Sequence, residues 1–367
     1  MMPRLWYMFT EVKENLFFDE PTELYVSNNP DNNAYALSRL DEDDVHIINI
    51  NSGLVEKMDD DELKFVIGHE IGHLASKNAE ISRIIEFVFP GNNNIPYLLF
   101  HKIKLWEKLS ELTADRFGFM AISNLEKCIS SFIKLASGMD LNKLKIDFQE
   151  YLKENDRVLE YFRKNFSANL LTHPVNPIRI KAIDLFFQSD LYQQVIDGKE
   201  ILNDAKLDEE FDNLIRILTY VSNSELDYYR QYFLASAGLL LGQVDEELNE
   251  LEINNILSKL SIFCMYPEEL LLEIIRSKKV EDIFMESVKN ILEINPSEKY
   301  NMFDFCVDLT IADRKLNKEE VDILYSIGKT LFQFSEKETA QLIAEKLRKQ
   351  FVPKLYQTSL IMSALRK

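Results

Sequence analysis

From Asp59 onward the apolar residues Leu63, Val66, Ile67, Ile71 and Leu74 recur at helical spacing, forming a stripe that would bury one side of a helix. Asp59 stands where an N-cap belongs, and Glu62, three residues on, completes a capping box, with Asp60 and Asp61 also favourable in the first turn. Gly68 and Gly72 sit four apart inside the pattern. Each costs a helix about 1 kcal/mol relative to alanine, so the pair predicts a neighbour packed very close to this helix. Downstream, the amphipathic stretch Asp147 to Phe166 predicts a connecting helix whose Phe148, Tyr151, Tyr161 and Phe162 pack in a core. A helix over Arg179 to Phe187 would then close a first domain.

Polar interruptions at Gln188-Ser-Asp190 and Asp197-Gly-Lys-Glu200 place the boundary between Phe187 and Asp208. The expected organisation is a first domain over 1–190, a linker over 191–207, an all-α domain over 208–345 and a tail over 346–367, consistent with two domains in 367 residues. The second domain carries an internal repeat. Asp245-Glu-Glu-Leu-Asn-Glu-Leu-Glu252-Ile253 returns 68 residues later as Asp313-Arg-Lys-Leu-Asn-Lys-Glu-Glu320-Val321. In each copy an apolar helix, Tyr232 to Leu241 or Phe303 to Ala312, runs toward the Asp, and an Asn and a Glu cap the next helix. That is a duplicated helical hairpin.

The chemistry sits on the first helix. His69-Glu70-Ile71-Gly72-His73 puts two imidazoles four residues apart, on one helical face, with a carboxylate beside them. Two such histidines can share a Zn²⁺ ion, which lowers the pKa of a bound water to about 7, and the adjacent Glu70 is placed to take the water's proton. Catalytic zinc takes three protein ligands, and Glu111 of the cluster Glu111-Leu-Thr-Ala-Asp115 is the best candidate for the third. Asp115 shares its helix face and would accept a hydrogen bond from the far nitrogen of a ligand histidine. The alternative is a solvated acidic helix beside a core one. His46 and His101 match no ligand spacing and read as structural or surface residues.

Residues 22 to 185 resemble the HtpX-like zinc metallopeptidases, the group that contains the CAAX prenyl proteases and bacterial membrane-quality-control endopeptidases. Beyond the zinc motif, four further segments carry the resemblance. Leu24 to Ala36, ending in Asn33-Ala34-Tyr35-Ala36, is similar to the family's strand and its N-A-x-A segment, and Val45 to Asn49 to the next strand. Gly53 to Leu63 is similar to the lead into the metal helix, and Thr172-His173-Pro-Val-Asn-Pro-Ile-Arg179-Ile180 to the T-H-P … R-I signature. The resemblance implies an α+β, predominantly α fold: a zincin-like peptidase domain with a small N-terminal sheet and an HExxH helix, followed by the all-α domain.

It also implies one Zn²⁺ per chain held by His69, His73 and Glu111, with Glu70 as general base and Asp115 orienting a ligand. His173 and Arg179 come near the metal, His173 to hydrogen-bond a developing oxyanion or to cap the open metal position, Arg179 to stabilise the same region or hold the loop. A turn residue before Pro174 is the plainer reading of His173. If Asn33 to Leu40 is an exposed edge strand, a polypeptide substrate can add to it through main-chain hydrogen bonds, which makes Asn33, Ala34, Tyr35 and Ala36 candidate substrate-binding residues.

The duplicated hairpin resembles the tellurite-resistance TerB-like domain, whose acidic turns read A-D-G-x-L-x-x-x-E. Ala312-Asp-Arg-Lys-Leu-Asn-Lys-Glu-Glu320 is the closer copy, but Arg314 replaces the glycine, and Val244 replaces the alanine of the first copy. Helix capping accounts for Asp245, Glu252, Asp313 and Glu320 without a metal, so the module is expected to position substrates or a protein partner.

Composition narrows the partners. A formal charge of −19 lacks the basic footprint that nucleic acid or an anionic membrane requires. No stretch of about 20 apolar residues exists to make a transmembrane segment. The short runs Ile84 to Phe89 and Ile95 to Phe100 are broken by Pro90, Gly91, three asparagines and Pro96, which predicts a loop or helical hairpin between the metal helices. The apolar Met1 to Thr10 lacks the features of a signal peptide. Cys128, Cys264 and Cys306 are far apart and match no ligand spacing, as expected of free thiols in the cytoplasm. Two functions follow: a soluble zinc-dependent metalloendopeptidase with a helical regulatory or adaptor domain, or a silent or latent peptidase that works as an interaction module through that domain.

Overall fold

The computed structural model describes residues 2–41, 43–92, 95–139, 146–165, 174–199, 203–219, 224–242, 250–311 and 318–351. The chain forms two compact units, Met1–Tyr220 and Val221–Lys367. In the first, α1 (Pro3–Asn15) starts at a proline suited to a first helical turn and buries Leu5, Met8, Phe9 and Val12 on one face. Strands β1 (Thr22–Ser27), β2 (Ala34–Leu37) and β3 (His46–Asn51) follow in a sheet of order β1-β3-β2. β3 is central and buries Ile48 and Ile50. It runs parallel to β1, with Leu24 opposite Ile48, and antiparallel to β2, with Tyr35 opposite Asn49.

The 29–33 turn crosses against α2 (Ser52–Lys57), where a Cβ on Gly53 would lie 2.1 Å from the carbonyl oxygen of Pro30. Only glycine lets that turn close. Next come α3 (Asp60–Ala75), α4 (Asn78–Val88), a 3₁₀ turn at Pro90–Asn92 and the long α5 (Tyr97–Ile122). The segment between α3 and α5 thus contains a helix, α4, followed by a 3₁₀ turn. α6 (Leu125–Ser137), α7 (Phe148–Asn165), α8 (Asn176–Phe187), α9 (Asp190–Ile196) and α10 (Ala205–Thr219) complete the unit.

α3 is the axis of this unit. It packs on α5 and on α6, and it also touches α1, β2 and β3. The close neighbour that the glycines require is α5. A Cβ on Gly68 would lie 2.8 Å from Ala121 Cβ, and one on Gly72 would lie 2.8 Å from Ala114 Cα.

Two expectations change. Phe148, Tyr151 and Phe162 of α7 do pack against the core, but Tyr161 is 59% exposed, because it falls on the solvent side of a helix with one buried face. Residues 208–219, expected in the second unit, belong to the first. α10 buries Leu207, Phe211, Leu214, Ile217 and Leu218 in the same core as α3 and α8, so the division falls near residue 220.

The second unit is built from α11 (Glu225–Gly242), α12 (Glu250–Leu260), α13 (Pro267–Ser277), α14 (Val280–Ile294), α15 (Glu298–Thr310), α16 (Lys318–Thr330) and α17 (Glu336–Phe351). Phe233, Ile291, Phe303 and Leu324 lie in its core. α11 packs on α12 and α15 on α16, in keeping with two hairpins. The turns themselves, with Asp245 and Asp313, and the side chain of Glu252 lie outside the described residues.

Candidate metal centre and active site

The capping box at the start of α3 is formed. The Asp59 side chain accepts from the Glu62 amide at 3.1 Å, and the Glu62 carboxylate accepts from the Asp59 amide at 2.9 Å. Glu62 is fully buried and takes a further hydrogen bond from Ser130 and an ion pair at 2.6 Å from Lys134, both on α6. This polar knot, invisible in the hydropathy pattern, anchors the helix that carries the histidines.

His69 and His73 project from one face of α3 with their rings edge to face and centroids 4.7 Å apart. Their Nε2 atoms are 3.1 Å apart. Glu111 comes from α5, with Oε2 3.7 Å from His69 Nε2 and Oε1 3.4 Å from His73 Nε2. One donor atom from each of the three lies within 4.8 Å of the others, the only group of three or more possible metal ligands among the described residues. Glu70 is buried next to them. Burial pushes its carboxyl upward from the ordinary glutamate range, with Glu111 adding to the rise and the two imidazoles opposing it.

Asp115, one turn beyond Glu111, has no solvent exposure. Its Oδ1 is 2.9 Å from His69 Nδ1 and accepts at 2.6 Å from Arg179 Nη2, while its Oδ2 accepts at 2.8 Å from Arg179 Nε. Burial alone would raise its pKa, but the Arg179 charge and hydrogen bonds, with His69, hold it below the usual carboxylate range. Arg179 extends from α8, where Pro177 starts the helix, and its guanidinium lies over the Phe132 ring of α6 at 4.8 Å. Its Nη2 is also 3.4 Å from Glu111 Oε2. Every described donor contact of Arg179 thus goes to a carboxylate of the cluster.

Six of the residues singled out in the sequence therefore meet in one place: His69, Glu70, His73, Glu111, Asp115 and Arg179. His173 lies outside the described residues. Ala34, Tyr35 and Ala36 are in β2, at an edge of the sheet and beside α3, and Asn33 immediately precedes it. Tyr35 faces solvent while Ala34 and Ala36 pack inward. His46 is buried and structural. Its Nδ1 accepts from the Arg39 amide at 3.1 Å and its Nε2 is 2.9 Å from Glu20. His101 rests edge-on against Phe100.

Two residues that the sequence did not flag belong here. Phe132 supplies the ring beneath Arg179, and Asn78, at the start of α4, stands beside His73. Neither type is distinctive at its position, so only the packing reveals them.

Residues 3–185 match the sequence profile described as Peptidase family M48. Among curated proteins, the plastoglobule-localized metallopeptidase 48, chloroplastic, of Arabidopsis thaliana is 27% identical over 203 residues, covering 52% of this chain and 58% of its own length. Protease HtpX homologs of Tropheryma whipplei strains Twist and TW08/27 are each 34% identical over 84 residues, 23% of this chain and 28% of their own. The chain spans less than two thirds of the length of these curated relatives. No solved structure matches it significantly. Described helices include none long and apolar enough to cross a membrane. Residues 3–185 are a domain of peptidase family M48.

Proposed function

We propose that the chain is a zinc-dependent metalloendopeptidase acting on polypeptides, and that the convergence of His69, His73 and Glu111 within 4.8 Å beside a buried Glu70 carries this reading. The donor set suits zinc: two imidazoles and a carboxylate leave a coordination position open. The charges suit it too. Counted as ionised, Glu70, Glu111 and Asp115 against Arg179 leave a formal charge of −2 in a buried site, which a divalent cation would neutralise. Zinc, when bound, supplies a Lewis acid that makes water a nucleophile at neutral pH and polarises a carbonyl.

The chain's own residues supply the rest. Glu70, its carboxyl raised by burial, takes a proton from the attacking water and returns it to the leaving amine. Asp115 accepts a hydrogen bond from His69 Nδ1–H and so leaves Nε2 free to ligate. Arg179 is assigned to holding Asp115 and Glu111 rather than to an oxyanion, since its Nε and Nη2 are already engaged by those carboxylates. His173 is the assigned oxyanion or capping group. β2 offers an edge along which a substrate main chain can pair, giving Asn33 to Ala36 their role. The second unit is assigned a regulatory or adaptor role as a TerB-like module, and the unpaired Cys128, Cys264 and Cys306 favour a reducing, cytoplasmic setting.

Purified wild type should carry one zinc per chain and cleave members of an unbiased peptide pool, read by mass spectrometry. Glu70→Gln should keep the zinc and lose cleavage by a factor of about 100 or more. A zinc-free wild type, or a fully active Glu70→Gln protein, would sink the proposal.

A further inference from the structure

Both ligand histidines need a partner for the ring nitrogen that faces away from the metal position. For His69 the partner is Asp115. For His73 neither the zinc motif nor the acidic pair provides one, yet His73 Nε2 points at His69 and Glu111, so its Nδ1 is the nitrogen left over. We infer that Asn78 is the positioning residue for His73, fixing the ring through its side-chain amide; this rests on the metallopeptidase reading above.

Three observations carry it. First, the Asn78 amide lies 3.5 Å from His73 Nδ1. Second, the chain takes a costly route to put it there. α3 ends at Ala75, Lys77 adopts a left-handed conformation at φ 58°, and α4 begins at once with Asn78. A lysine in that region is strained by about 1 kcal/mol, and the turn redirects the backbone so that residue 78 folds back on residue 73. Third, Asn78 is the one buried residue of α4, at 7% exposure, whereas Ile81, Ile84, Phe87 and Val88 of the same helix are exposed. A helix that leaves most of its large apolar residues in water and buries its one asparagine is held mainly by something other than hydrophobic packing there. A buried amide costs free energy unless it is hydrogen-bonded, and His73 is its described side-chain partner.

The chemistry fixes the direction of the bond. A His73 that ligates through Nε2 carries its proton on Nδ1 and requires an acceptor. The asparagine side chain offers one: a half-turn about its terminal bond exchanges the amide nitrogen for the carbonyl oxygen at the same place. His69 would then be held by a charged acceptor and His73 by a neutral one.

The test is zinc affinity of the full chain by chelator competition, with thermal unfolding of the metal-free proteins as a second readout. Asn78→Ala should weaken zinc binding roughly 10- to 100-fold. Asn78→Asp, which restores an acceptor, should recover most of that loss. A purely structural Asn78 would instead lower the unfolding temperature of the metal-free protein and leave affinity within about threefold of wild type. That result, or an Asn78→Asp protein as weak as Asn78→Ala, overturns the inference and leaves the metallopeptidase reading intact. A wild type that binds no zinc overturns both.

Discussion

Asp115 ties His69 of α3 to Arg179 of α8. It has no access to solvent, so its charge is tolerable only because Arg179 grips it with two hydrogen bonds and His69 adds a third. Those partners come from residues 69 and 179, which no local pattern connects. Asp59 shows the opposite case, a role legible from spacing. Burial works against its ionisation, but hydrogen bonds from Lys127 and the Glu62 amide prevail and hold its pKa below the usual aspartate value. A carboxyl depressed in the folded state contributes stability that is complete above its unfolded pKa of about 3.9 and is lost as pH falls through the folded value. Wild type should therefore exceed Asp59→Ala by about 1 kcal/mol in denaturant unfolding at pH 7, and the gap should close in acid below the depressed pKa. A gap that stays constant with pH would refute the assignment.

At the scale of elements, the site is a property of the α3–α5 contact. Gly68 and Gly72 remove the side chains that would hold the helices apart, and Gly118 does the same from α5, where a Cβ would lie 2.7 Å from the Phe65 carbonyl oxygen. Glu111 reaches both histidines only at this separation. Gly72→Ala gains about 1 kcal/mol of helix propensity, but its new methyl meets the Ala114 backbone, which cannot yield as a flexible side chain would. We expect a net loss of about 1–2 kcal/mol in chemical denaturation, together with weaker zinc binding as α5 is displaced. Unchanged stability and affinity would mean that the contact is looser than described. The hydropathy pattern revealed α3, its cap and its need for a close neighbour; the identity of that neighbour is a matter of packing across 40 residues of sequence.

For the whole molecule, the boundary between units decides which pieces of the chain can stand alone. The polar residues at 188–190 and 197–199 lie inside the first unit, not at its end. α10 beyond them closes the core, with Phe211 stacked 4.1 Å from the Arg116 guanidinium, next in sequence to Asp115. A chain cut at residue 220 should unfold cooperatively in urea with a midpoint near that of the intact first unit. One cut at residue 204 exposes the surface that Leu207, Phe211, Leu214, Ile217 and Leu218 cover, each worth about 1.5–3 kcal/mol when buried, and should have a much lower midpoint or aggregate. Equal midpoints would place the boundary where the sequence pattern put it.

The sequence by itself determined the candidate donors and their local order. His69, Glu70 and His73 follow from one helical turn, Asp59 and Glu62 from capping, and Glu111 and Asp115 from spacing on a second helix, because each depends on backbone geometry within a few residues. Tertiary structure alone decided the rest: that α5 is the helix against Gly68 and Gly72, that Arg179 grips Asp115 above Phe132, that Glu62 is buried with Lys134, that Asn78 returns to His73, and that α10 belongs to the first unit. Those outcomes depend on which surfaces exclude water together and which buried charges find partners, and such pairings between distant segments leave no period in the chain.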